Sequence, residues 1–179
     1  HGLYDAMNKG IALATGDIFS WDEYRKEDGE QTFGLLSQIS PDGRYVLSTV
    51  KDRSVFVPRP DLAFSQLFFP IKGILCVYDR AARTFRPLPG ADDPRFVQRN
   101  PVWSPDGTHV LFARSAAYTL ARAQAGSAVL LKPEECEEFL ARGTQFKFDI
   151  CRIPFNGGRG GAPEPLAGAS GDGMSNYFP

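Results

Sequence analysis

Four groups of residues have types that could do chemistry. Asp92 and Asp93 are adjacent carboxylates, the start of a cation site or of an acid–base pair. A hard cation needs more oxygen ligands than two residues bring, and no His or further acid lies beside them in the sequence. Asp also accepts from free backbone N–H groups, so the favoured reading is a turn or helix start. Of the three cysteines, Cys76, Cys136 and Cys151, none makes a CxxC, a zinc spacing or the CxxCH of covalent haem. Cys136 is the one to watch for reactivity or crosslinking. The two histidines are His1 and His109. No Gly-x-Ser-x-Gly occurs, and His109 has no Ser partner in a strained turn, so no nucleophile triad assembles. Residues 156–173 hold seven glycines. No Lys-Ser/Thr follows them and no strand-to-helix context surrounds them, so they are read as hairpin turns rather than a phosphate loop. No catalytic residue and no metal ligand is assigned, no cofactor is expected, and binding residues stay unassigned.

The elements that would position any site are organised around residues 100–114. Asn100-Pro101-Val102-Trp103 reads as a strand, Ser104-Pro105-Asp106-Gly107 as a tight turn, and His109 to Arg114 as a second strand. Ser104 suits the first turn position, Pro105 presets φ at the second, Asp106 fits the third, and Gly107 can take the left-handed conformation that closes a hairpin. Val110 and Phe112 alternate with their neighbours as a half-buried strand requires. The same tetrapeptide recurs as Ser40-Pro41-Asp42-Gly43, 64 positions earlier. In each copy a polar residue, a ring (Tyr45 or His109) and Val-Leu follow, which makes an internal repeat.

This repeat resembles the blade of the TolB-type (WD40-like, "PD40") β-propeller. The resemblance covers roughly residues 35–179 and implies an all-β fold with blades of four antiparallel strands. Gly73–Arg80 and Thr84–Leu88 look like the third and fourth strands of one blade. Residues 147–154, the turn at Asn156-Gly157-Gly158, and Pro163–Leu166 look like the corresponding parts of the next. Cys76 and Cys151 then take equivalent third-strand positions, which points to buried packing, out of disulfide reach of each other. The chain is read as a partial propeller of about two to three blades out of the usual four to eight. Its expected divisions are 1–34, the end of a preceding blade or an N-terminal extension; 35–99, a blade with an insertion at 51–72; 100–172, a blade with an insertion at 115–146; and 173–179, the approach to a further blade.

Composition agrees with many short strands. There are 18 Gly, 14 Pro and 14 Phe in 179 residues, and 42% of the chain is hydrophobic. A net charge of −1 removes the electrostatic case for nucleic acid or an anionic membrane surface. No stretch approaches the length of apolar sequence that a membrane-spanning helix needs. The charged run 23–30 reads as a solvated loop. The first insertion is apolar but broken by Pro58, Pro60 and Pro70, which suggests edge or loop geometry; it either packs on its own blade, the favoured reading, or docks a partner. Within the second, Lys132 to Gly143 reads as a short helix, with Pro133 in its first turn and acids at its positive end.

Two faces of a partial propeller would stay open, so the remaining blades or another protein chain are the expected partners, with no nucleic acid and no membrane insertion. The leading functional expectation is a non-catalytic scaffold binding a protein or ligand in the cell envelope, periplasmic or exported, as relatives of that type are. The alternative is the propeller domain of a larger enzyme, a serine peptidase or a haem-associated periplasmic protein, with its chemistry elsewhere. A third is a propeller with an acid or metal site of its own, which lacks a His/acid cluster.

Overall fold

The computed structural model describes residues 21, 34–58, 66–118, 141 and 146–179, without the side chains of residues 35, 51–58 and 66–71. Residues 1–20 and the charged run 23–30 lie outside that set, as does the helix expected at 132–143 apart from Ala141.

The fold is all-β. Among the described residues eight strands follow in order: β1 Leu35–Ile39, β2 Tyr45–Pro58, β3 Gln66–Asp79, β4 Thr84–Pro87, β5 Phe96–Trp103, β6 His109–Ala116, β7 Asp149–Pro154 and β8 Glu164–Pro165. They form one open mixed sheet in the order β1-β2-β3-β5-β6-β7-β8, with β4 on β3. Within it, β1 to β4 pair antiparallel in succession and so do β5 to β8. A single parallel pair, Gly73 with Val97, joins the two meanders.

The two hairpins that carry Ser-Pro-Asp-Gly match bond for bond. The Gly43 N–H donates to the Ser40 carbonyl at 2.8 Å, and the Gly107 N–H to the Ser104 carbonyl at 2.9 Å. Gly43 and Gly107 have φ of 71° and 69°, the left-handed region that the turn demands and that glycine takes at little cost. Each turn serine donates to the aspartate two residues on, at 2.5 and 2.6 Å. Each also accepts the backbone N–H of the ring residue, Tyr45 or His109, at 2.9 Å. The turn therefore consumes the polar groups of all its side chains locally.

The repeat extends into features with no motif. β1 bulges between Leu35 and Gln38, and β5 between Arg99 and Val102, the same positions 64 residues apart. Leu36 and Asn100 sit in those bulges at φ of 53° and 51°. Further on, the Leu88 N–H donates to the Leu75 carbonyl and the Leu166 N–H to that of Ile150, at 2.9 and 2.8 Å. The Leu75 N–H in turn reaches the Ala91 carbonyl, and the Ile150 N–H that of Ala169. The fourth strands expected at 84–88 and 163–166 are thus β4 and β8 with the turns that follow them.

Within the segment expected as an insertion, β2 runs on to Pro58 and β3 begins at Gln66, paired from Ser54–Pro70 to Pro58–Gln66. Both strands of that ribbon extension are edges, which is how Pro58 and Pro70 are tolerated without breaking a central ladder.

Strand alternation sorts the side chains of each meander onto two faces. On the first, Tyr45, Leu47, Leu75 and Val77 share a core with Val110, Phe112, Cys151, Ile153 and Phe155 of the second. The opposite face of the first, with Val46, Val50, Ile74, Cys76 and Tyr78, packs on Trp21. The far face of the second, with Ala113 and Ile150, packs on Phe148 and Tyr177. Register makes Val46 equivalent to Val110 and Cys76 to Cys151. The back of the first meander therefore lies on the front of the second, a head-to-tail contact.

Glycines let the backbones meet at that contact. Gly157 and Gly158 belong to a 3-10 turn at Asn156–Gly158, as a turn reading requires. Gly158, Gly160 and Gly90 do more: a Cβ on Gly158 would overlap the Arg86 guanidinium, one on Gly160 the Pro89 carbonyl, and one on Gly90 the Gly161 carbonyl. The expectation of turns alone is corrected here to turns that also close an interface.

Gly160→Ala should lower stability by roughly 2–4 kcal/mol in urea titration, from left-handed strain plus the overlap with Pro89. Gly168 has φ of 81° but nothing within 4 Å of its would-be Cβ. Gly168→Ala should therefore cost only about 1 kcal/mol; equal losses at the two positions would refute the interface role of Gly160.

Candidate functional site

The residues singled out in the sequence are not brought together. Asp92 and Asp93 stand in the turns between β4 and β5. Asp92 Oδ1 accepts the Gly90 N–H at 3.0 Å. Asp93 accepts the Arg95 N–H at 2.9 Å and the Arg95 guanidinium at 2.6 to 3.1 Å. Those bonds, with Arg95 first among them, hold the Asp93 carboxyl down to about 2. Such a carboxylate is a poor proton acceptor near neutral pH. The turn reading of this pair holds, and among the described residues no group of three or more His, Cys, Asp or Glu is arranged to hold a metal.

Cys76 and Cys151 are buried, with no disulfide between them, in different cores on the two sides of the first meander's sheet. The equivalence expected for them is met by register, since Cys76 pairs with Ser48 and Cys151 with Phe112, and both face a fourth-strand proline, Pro87 or Pro165. Burial pushes the Cys151 thiol up, away from the thiolate that nucleophilic chemistry needs. Cys136 lies outside the described residues. His109, half-buried, takes the place of Tyr45, and its Nδ1 lies 2.7 Å from Thr108 Oγ1.

Asp79 closes the turn end of β3. Its side chain is nearly buried, bonded by Arg44 at 3.1 Å and by the N–H groups of Ala81 and Ala82. Burial pushes its carboxyl up, but Arg44 and the two N–H groups outweigh that and hold it below the usual range. Ser104 first, and then Thr108, hold Asp106 down to about 2. Asp42 is lowered in the same way by Ser40 and the Arg44 N–H. The acids at this end are structural pins.

Sequence reading missed the buried polar row Gln98-Arg99-Asn100 on β5. Gln98 ties the inter-meander linker to β3: its Nε2 donates to the carbonyls of Asp93 at 2.8 Å and Gly73 at 3.3 Å. Arg99 donates to the Tyr177 hydroxyl at 2.6 Å, and Asn100 Nδ2 to the Tyr177 carbonyl at 3.0 Å. The row holds the linker and the segment 173–179 in place. Only Asn100 offered a signal, since Asn tolerates the left-handed bulge position that Leu36 occupies in the other copy.

The largest organised features are therefore the two ends of the sheet. At one lie both Ser-Pro-Asp-Gly turns; the β2–β3 ribbon and the β6–β7 connection leave from the other. No known protein-family model matches the chain, and no curated protein matches it in sequence. No helix among the described residues is long and apolar enough to cross a membrane.

Asp106 yields a pH prediction. A carboxylate depressed in the fold stabilises it above the unfolded value near 3.8 and loses that contribution as pH falls toward about 2. Asp106→Asn should melt below the wild type at neutral pH. The deficit should be undiminished down to about pH 4–5 and gone near pH 2, as read by thermal melts across that range.

Proposed function

We propose that this chain is part of a non-catalytic β-propeller scaffold of the cell envelope that binds a protein or ligand partner, with blades of the TolB type. The observation that carries the reading is the head-to-tail stacking of two equivalent four-stranded meanders. A heterologous contact between equivalent units, once repeated, generates a ring or an open filament. Twisted four-stranded sheets stacked in this way close into rings of four to eight as propellers. Placement in the envelope rests on the resemblance of the Ser-Pro-Asp-Gly repeats alone.

The binding end is the one opposite the Ser-Pro-Asp-Gly turns, toward which the β2–β3 ribbon extends. Turns at the other end have their polar side chains committed to internal bonds, which leaves little to offer a partner. Long connections projecting from a rigid sheet are where binding residues concentrate.

A photoreactive amino acid placed at Lys72 or Ala116, exposed positions at that end, should give adducts with a partner in envelope fractions, and one at Asp42 or Asp106 should give none. Adducts confined to the turn positions, or none at all, would remove the assignment. Electron microscopy of the natural polypeptide tests the ring itself: an open filament of meanders would overturn the propeller reading.

A further inference from the structure

One position breaks the repeat in a way that the fold does not require. Val50 on β2 is fully buried and packs in the cluster around Trp21. Its counterpart 64 residues on is the half-buried Arg114 of β6. The Arg114 guanidinium lies over the Phe96 ring, 3.9 Å from its centroid. Among the described residues no carboxylate pairs with it. Asp149 stands opposite in the register, but its Oδ1 accepts the Gly171 N–H at 2.8 Å. Asp93 is taken by Arg95, which approaches the same ring at 5.9 Å.

Two lysines repeat beside this stack. Lys72 directly precedes Gly73, and Lys147 directly precedes Phe148, equivalent residues three positions before Cys76 and Cys151. Both lysines are exposed, and among the described residues neither pairs with an acid. The parallel pair of Gly73 with Val97 sets Lys72 level with Phe96. Lys147 stands two residues from Asp149, the register partner of Arg114.

We propose that this end of the sheet takes an acidic segment of a protein partner, with Arg114 gripping one carboxylate and Lys72 and Lys147 meeting others. The inference rests on the choice of binding end made above and names the chemistry of what binds there. A valine at position 114 would pack as Val50 does, so the charge breaks the local pattern without a gain to the fold, as functional positions do. The Phe96 ring fixes the plane of the guanidinium, so its paired N–H donors are set for a carboxylate before it arrives. Partial burial strengthens that attraction over one in open water. Sheets stacked face to face lie about 10 Å apart and extended chain advances about 3.3 Å per residue, so carboxylates about three residues apart suit the two lysines. Nucleic acid is the poorer fit, because a chain of net charge −1 with these few cations offers no basic stripe for a phosphate backbone to follow.

The probe is a fluorescein-labelled nonapeptide of three Glu-Thr-Thr repeats, read by fluorescence anisotropy, with Lys-Thr-Thr repeats and a single-stranded oligonucleotide as controls. The acidic peptide should bind and lose affinity as salt is raised, and neither control should bind as tightly. Arg114→Val, which installs the residue of the first meander, should weaken binding roughly tenfold while the melting temperature holds. Lys72→Glu with Lys147→Glu, at two exposed positions, should remove binding. Unchanged affinity in either variant, a melting temperature that falls with Arg114→Val, or tighter binding of the oligonucleotide overturns the proposal. Photo-adducts at position 116 that persist with all three substitutions leave the binding end standing and remove the acidic partner alone. Absence of those adducts in the wild type removes the end, and this inference with it.

Discussion

Everything else in the molecule depends on one contact, the back of the first meander laid on the front of the second. A four-stranded sheet in a single layer cannot bury its own faces, so its apolar side chains need a second layer. The contact buries Leu47, Leu75, Val77 and Leu88 against Val110, Phe112 and Ile153, each fully removed from solvent. Each such side chain contributes roughly 1.5–3 kcal/mol. The exposed ion pairs Arg95–Asp93 and Arg152–Glu164 sit where a pair is worth about 0–1 kcal/mol. Apolar burial between the sheets decides the fold, and the charges trim its margins.

That contact explains where the glycines fall. Sheets packed face to face stand about 10 Å apart, so loops at their rims must come closer than side chains allow. Gly158, Gly160 and Gly90 occupy such points, and Arg86 Nη2 uses the space to donate to the Gly157 carbonyl at 2.7 Å. Aromatic rings finish the turn end of the interface: Phe155 meets Tyr45 and Trp103 edge-on at centroid distances of 4.8 and 4.6 Å. Phe155 comes from one meander and Tyr45 from the other, so this end closes by complementary rings and the rim by absent side chains.

The turns were legible in the sequence because their chemistry is local. Ser-Pro-Asp-Gly satisfies its own donors and acceptors within five residues, so the tetrapeptide specifies a hairpin wherever it stands. The third strands and the equivalence of Cys76 with Cys151 were legible only through the resemblance of the repeat to a known blade. The bulges at Leu36 and Asn100 were not, since Leu carries no left-handed preference and only pairing to β2 and β6 imposes it. The same limit hid the continuation of β2 and β3 through residues 51–58 and 66–72. The prolines there pointed to edge or loop geometry, and a two-stranded ribbon is an edge form that leaves them unstrained. The buried row Gln98-Arg99-Asn100 escaped notice because its partners, Gly73, Asp93 and Tyr177, are assembled only by the tertiary fold.

The two repeats diverge unevenly, and the pattern has a physical reason. Positions close to the inner strands keep their character: Leu47 and Leu111, Leu75 and Ile150, Ala91 and Ala169. Positions toward the turn end do not, as Tyr45 gives way to His109 and Val77 to Arg152. A polar side chain on the covered face of the first meander would lose its hydration without a partner, at a cost of roughly 1–3 kcal/mol. Val77 there is fully buried, whereas its counterpart Arg152 pairs with Glu164 on a face where both are exposed, so that ion pair stands without the penalty. The divergence of the two repeats at this position thus follows what covers each face.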